Sequence, residues 1–145
     1  MRDHLMLSNT RDRIIETGAA IIHRKGFNYT GIQEILTAAG VPKGSFYNYF
    51  KSKNDFGLGI VDYFFNHFRQ IARKTLDDTA ISPLNRIYQF LTAFMENFEF
   101  QNYAGGCPIG NLAQEMGDLS PAFRKRLSEA VDMMVDAYVQ VLAAA

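Results

Sequence analysis

Lys43, Gly44, Ser45, Tyr47, Asn48 and Tyr49 fall within seven consecutive positions, and Lys53 follows shortly after. The surrounding run AAGVPKGSFYNYFKSK, residues 38–53, places four aromatic rings and three lysines in sixteen positions. Ammonium groups, hydroxyls and a carboxamide on one short segment suit a nucleic acid. The cations meet phosphates and release counterions, while the hydroxyl and amide groups address phosphate oxygens and base edges. Phe46 and Phe50 stand four apart, so they share one helical face and anchor it inward. Gly44 leaves the N-terminus of that helix open for close approach. The same residues also fit a plain helical turn with packed rings and solvated lysines.

A second chemical feature is YAGGCPIGNLAQEMGD, residues 103–118. Cys107 immediately precedes Pro108, the expected first residue of a helix, where a sulfur meets the positive end of the helix dipole. No Gly-Lys-Ser/Thr follows, so this is not a phosphate-binding loop. A free cysteine is also often an inert small hydrophobe. A thiol enzyme would need a histidine partner. His4 lies in the N-terminal tail, and His23 and His67 fall on helices, none in a recognisable catalytic setting. A thiol peroxidase built on Cys107 lacks its expected arginine partner. His, Cys and carboxylates nowhere cluster at metal-ligand spacing, so neither a metal nor another cofactor is expected.

The elements that must position these residues are helical, because apolar residues recur every three or four positions and no strand alternation appears. The pattern predicts a first helix over 10–25, with Gly26 and Phe27 closing it. Thr30 and Gln33 read as a capping box opening a second helix, whose stripe is Ile32, Ile35, Leu36 and Ala39. Gly40-Val41-Pro42 turns the chain into a short helix over 43–50, giving a helix-turn-helix whose second helix can enter a major groove. Ser52 and Asp55 open a long helix over 53–76, and Ser82-Pro83 opens the next. That fifth helix carries a stripe of Leu84, Ile87, Tyr88, Leu91, Phe94, Met95 and Phe98. A short helix over 108–116 and a last one starting at Ser120-Pro121 complete the series. The expected division is a DNA-binding domain at 1–53 and a second helical domain at 54–145.

Composition supports a folded chain: 145 residues, 48% hydrophobic, with no repeats. No apolar run is long enough to span a bilayer, and no secretory segment is visible, so a cytoplasmic protein without a membrane partner is expected. The single cysteine excludes an internal disulfide. The net charge of zero conceals an asymmetry. Residues 1–75 carry 11 Lys+Arg against 6 Asp+Glu, and residues 76–145 carry 4 against 9. A basic half beside an acidic half suits a polyanion-facing module attached to something else.

The run GFNYTGIQEILTAAGVPKGSFYNYFKSKNDF, residues 26–56, resembles the N-terminal signature of the TetR family of bacterial transcriptional repressors. The resemblance implies an all-α protein whose N-terminal three-helix domain binds duplex operator DNA. It also implies a second helical domain that binds an inducer, and a homodimer formed through two further helices; this chain stops within a helix, so either those helices lie beyond it or the dimer is an unusual one. Carried onto these positions, it implies operator contacts from Lys43, Gly44, Ser45, Tyr47, Asn48 and Tyr49, with Thr30 and Lys53 holding the DNA backbone and Gln33 a further DNA-binding residue. Gly31 departs from the second hydroxyl residue that many members carry, and Asn48-Tyr49 departs from the usual pairing, so base preference does not transfer. The inducer site is expected among Phe64, Phe68, Tyr88, Phe94, Phe98 and Tyr103, although aromatics at helical spacing also serve as plain core. The Cys107 segment is similar to that of family repressors responding to N-ethylmaleimide, quinones and reactive chlorine, which implies an electrophile sensor. A helical interaction module without DNA binding and a thiol-dependent enzyme are the alternative functions.

Overall fold

The computed structural model describes residues 9–145. His4 and the rest of MRDHLMLS lie outside the described residues. Seven α-helices follow in order: α1 Thr10–Lys25, α2 Ile32–Ala39, α3 Phe46–Tyr49, α4 Lys53–Thr75, α5 Pro83–Phe100, α6 Pro108–Met116 and α7 Pro121–Ala143. A 3₁₀ turn over Lys43–Ser45 leads into α3. No strand occurs among the described residues, as the helical periodicity requires.

Local chemistry sets the helix ends. The Asn9 side chain accepts from the Asp12 N–H at 2.9 Å and starts α1. At the end of α2, Gly40 adopts a left-handed φ of 65° and Val41 N–H returns to the Leu36 carbonyl at 3.0 Å. That is the glycine-terminated closure that a Cβ-bearing residue resists. Ser52 Oγ accepts from Asp55 N–H at 3.0 Å, and Asp55 Oδ2 accepts from Lys51 N–H at 2.9 Å. The first bond satisfies an orphan donor of α4, and the second ties the residue before the N-cap to the helix's first turn.

The predicted capping box of α2 does not form. Gly31 occupies the N-cap position and offers no side chain. Thr30 is 0% exposed and its hydroxyl donates to the Gly26 carbonyl at 2.7 Å, while Gln33 reaches forward to Thr37 Oγ1. The hydroxyl is one residue too early to cap the helix, so it closes the α1–α2 turn instead.

Two apolar cores lie along α4. The first joins Ile14 and Ile22 of α1, Ile35 and Leu36 of α2, Phe46 and Phe50, and Phe56 and Ile60 of α4. It also contains Ile109, Leu112 and Met116 of α6 and Phe123 and Leu127 of α7. The core therefore does not divide at residue 53, where the chain passes from the helix-turn-helix into α4. The second core gathers Phe65, Phe68, Ala72 and Leu76 of α4 with Phe90 of α5 and Ala130 and Val141 of α7. With a rise of about 1.5 Å per residue, α4 runs roughly 35 Å and belongs to both cores. Arg86 is buried on α5 and donates to the Leu76 carbonyl at 3.0 Å, satisfying an acceptor just past the end of α4.

Candidate nucleic-acid interface

The short α3 is held from beneath by three phenylalanines. Phe46 and Phe50 are buried, and both rings pack on Phe56 of α4 at centroid distances of 5.8 and 5.1 Å. Burying a phenylalanine is worth roughly 1.5–3 kcal/mol, so these anchors outweigh the poor intrinsic stability of a one-turn helix. Fixing that face inward turns the rest of the turn outward. Tyr47 is 68% and Tyr49 39% exposed, and Lys43, Gly44 and Asn48 are exposed beside them. Ser45 is half-buried at the junction with the 3₁₀ turn.

Two further cations are held by rings. The Lys53 ammonium lies 4.8 Å above the Phe27 ring, and the Arg11 guanidinium lies 5.1 Å above Phe50. Sequence reasoning found Lys53 and missed Arg11, because roughly forty residues separate Arg11 from the ring it covers. Gln33 is exposed on α2. Thr30 leaves the set: with no exposed surface and its proton committed to Gly26, it supports the turn without reaching a backbone phosphate.

The six aromatics expected around an inducer do not form one cavity. Phe68 and Phe94 pack with Phe90 in the second core, at ring distances of 5.3 Å for Phe68–Phe90 and 4.8 Å for Phe90–Phe94. Phe98 is half-buried beyond them, 6.4 Å from Phe94. Tyr88 and Tyr103 are 71% and 64% exposed. The stripe on α5 spans two faces: Ile87 and Phe94 turn toward α4 and α7, where they join Phe90, a core residue outside the predicted stripe, while Leu84, Tyr88, Leu91 and Met95 turn outward. Phe64 instead borders a crevice of about 270 Å³ with His23, Asn111 and Glu115, between α1, α4 and α6.

Cys107 is exposed, and its Sγ accepts from the Gly110 N–H at 3.4 Å, so it is the N-cap of α6. The loop before it carries positive φ at Asn102, Tyr103, Gly105 and Gly106. His23 Nε2 lies 2.8 Å from the Gly106 carbonyl oxygen, so the fold brings together a histidine and a cysteine loop 83 residues apart. His67 bonds its own helix at the Tyr63 carbonyl. No group of three His, Cys, Asp or Glu able to hold a metal exists among the described residues. None of the described helices is long and apolar enough to cross a membrane.

Three short helices in which the second and third flank a tight turn, with an outward polar and cationic face, define a helix-turn-helix DNA-binding fold. The comparisons with known proteins agree. Residues 14–57 match the model of the bacterial regulatory proteins of the tetR family, and residues 83–145 match the tetracyclin repressor-like C-terminal domain. This chain belongs to the TetR family. It is 39% identical to the transcriptional regulator AcuR of Cereibacter sphaeroides, over 79% of this chain and 52% of that protein. A regulatory protein TetR from Rhodobacter sphaeroides superposes with a TM-score of 0.87 at 33% identity, over 93% of this chain and 71% of that one. The reduced form of Escherichia coli NemR gives 0.82 at 28% identity, over 92% and 70%. This chain spans about half of AcuR's length.

Proposed function

We propose that the protein is a DNA-binding transcriptional repressor that occupies its operator as a homodimer and is released by a small inducer. The observation that carries the reading is the exposed 43–49 segment, locked in orientation by Phe46 and Phe50 on Phe56. Tyr47, Asn48 and Tyr49 address base edges, while Lys43 and Lys53, with Arg11, address phosphates. Pairing two such modules satisfies the two half-sites of a palindromic operator. Selection from a randomised duplex pool tests this directly. Enrichment of one palindromic sequence is expected, and recovery of no preferred duplex by the folded protein would refute it.

We further propose that the releasing signal is an electrophile that modifies Cys107. Its exposure, its place as N-cap of α6 and the likeness to NemR support the reading. With N-ethylmaleimide the thiolate adds across the ring double bond. A carbon–sulfur bond forms, the displaced π pair moves to the neighbouring carbon, and that carbon takes a proton from water, with no leaving group. Wild type should leave its duplex after treatment and Cys107→Ser should remain bound. Equal release of both proteins would sink the proposal.

A further inference from the structure

The turn that launches α2 is held from a distance. Between α1 and α2 the chain passes through Gly26, at φ 89°, then Phe27 and Asn28. The N–H groups of Phe27 and Asn28 donate to one carboxylate, Glu115 of α6: Phe27 to Oε2 at 2.8 Å and Asn28 to Oε1 at 2.6 Å. Asn28 Nδ2 also donates to Met116 Sδ at 3.4 Å. A Cβ on Gly26 would stand 3.1 Å from Glu115 Oε2, so the absence of a side chain there gives the carboxylate its room. None of the ion pairs among the described residues includes Glu115. Its charge is met by backbone dipoles, and hydrogen bonds to an ionised acceptor are the strong ones.

At its other end, α6 is tied to α1 through His23 and the Gly106 carbonyl. A Cβ on Gly105 would lie 2.7 Å from His23 Nε2, so the loop sits flat against the ring. Among the described residues, the hydrogen bonds joining 9–50 to 83–145 are the His23 tie and those of Glu115 and Met116 to the α1–α2 turn. The turn they hold is also closed by Thr30 on Gly26, and α2 starts immediately after it.

We infer that Glu115 is a positioning residue for operator recognition. By clamping two successive N–H groups it sets the α1–α2 turn, and through α2 it sets the angle at which the 43–49 segment meets DNA. This makes α6, which begins at the Cys107 cap, a lever on the DNA-binding helices. The inference rests on the proposed DNA-binding function, and the test separates the two.

The test measures affinity for the selected duplex across a salt series for full-length wild type, Glu115→Ala and Glu115→Gln, with a thermal melt of each. Glu115→Ala removes both charge-assisted hydrogen bonds and should bind at least about tenfold more weakly, the scale of losing one of them. Its slope of log K against log salt should be shallower by about 0.9, the share of a single phosphate that the tilted segment no longer reaches. Glu115→Gln keeps one acceptor oxygen and should recover most of both quantities. If the alanine variant fails to fold, Glu115→Asp, whose side chain is one methylene too short to reach both N–H groups, takes its place and should show the same two losses. A folded Glu115→Ala, or Glu115→Asp in its place, with wild-type affinity and slope would overturn the inference, as would an affinity loss at unchanged slope. A folded wild type that binds no duplex would refute the DNA-binding reading itself.

Discussion

Gly57→Ala should destabilise the protein, although the same change in an exposed helix stabilises it. Gly57 lies inside α4, where replacing glycine by alanine ordinarily gains about 1 kcal/mol. Here the added Cβ would fall 2.3 Å from Phe123 Cζ and 2.7 Å from Phe27 Cε2. Neither ring has room to retreat, since both are buried and stand edge to face at 5.1 Å. Overpacking of a filled core costs about 1–3 kcal/mol, and separations this short place the site at the upper end. Subtracting the helix gain leaves a net loss of about 2 kcal/mol, or about 6–8 °C in melting temperature for a chain of this size. Calorimetry, with urea denaturation to check that the m-value is unchanged, measures it. Operator affinity should fall as well, because Phe27 belongs to the turn that Glu115 holds. A melting temperature at or above wild type would show that α4 does not pack against those rings, and the account of the first core would fail.

Two further outcomes follow from single observations. Gly31→Ser should stabilise α2 by a few tenths of a kcal/mol, because Gly31 is an N-cap without a side-chain acceptor and nothing lies within 4 Å of its Cβ position. The new hydroxyl should also strengthen duplex binding, and weaker binding at equal stability would contradict its placement beside DNA. Alkaline pH should destabilise the fold through two tyrosines. Burial raises Tyr63 above its ordinary 10.0, with the Glu16 charge adding to it, and burial alone raises Tyr138. Below pH 10 their contribution is complete. As the pH rises past 10.0 the unfolded tyrosines ionise first, so stability falls until the folded hydroxyls ionise too. Unfolding free energy against pH should lose part of this alkaline slope in Tyr63→Phe and Tyr138→Phe, and an unchanged slope would refute it.

Much of the frame was legible because its signals are local. The ends of α1, α4 and α6 follow from Gly26, Ser52 and Cys107-Pro108 with their neighbours, and the i,i+4 pair Phe46 and Phe50 fixes which face of α3 turns inward. Thr30 misled because a threonine three residues before a glutamine fits a capping box and a closed turn equally well. Its buried surface decides between them. The α5 stripe misled for a related reason. Seven apolar positions cover more than one helix face, and only the packing of α4 and α7 selects Ile87 and Phe94 over Leu84, Tyr88 and Leu91. The Glu115 clamp and the ring seat of Arg11 were illegible because each joins residues tens of positions apart through the fold.

The central claim is that the 43–49 segment carries operator recognition, and the salt dependence of duplex binding by wild type and Lys43→Ala addresses it most directly. The account predicts steep weakening with salt for wild type, and for the variant a slope shallower by about 0.9 with affinity reduced alike on specific and unrelated duplexes. A folded wild type with no measurable duplex binding at low salt, or a Lys43→Ala variant with unchanged slope and affinity, would contradict it.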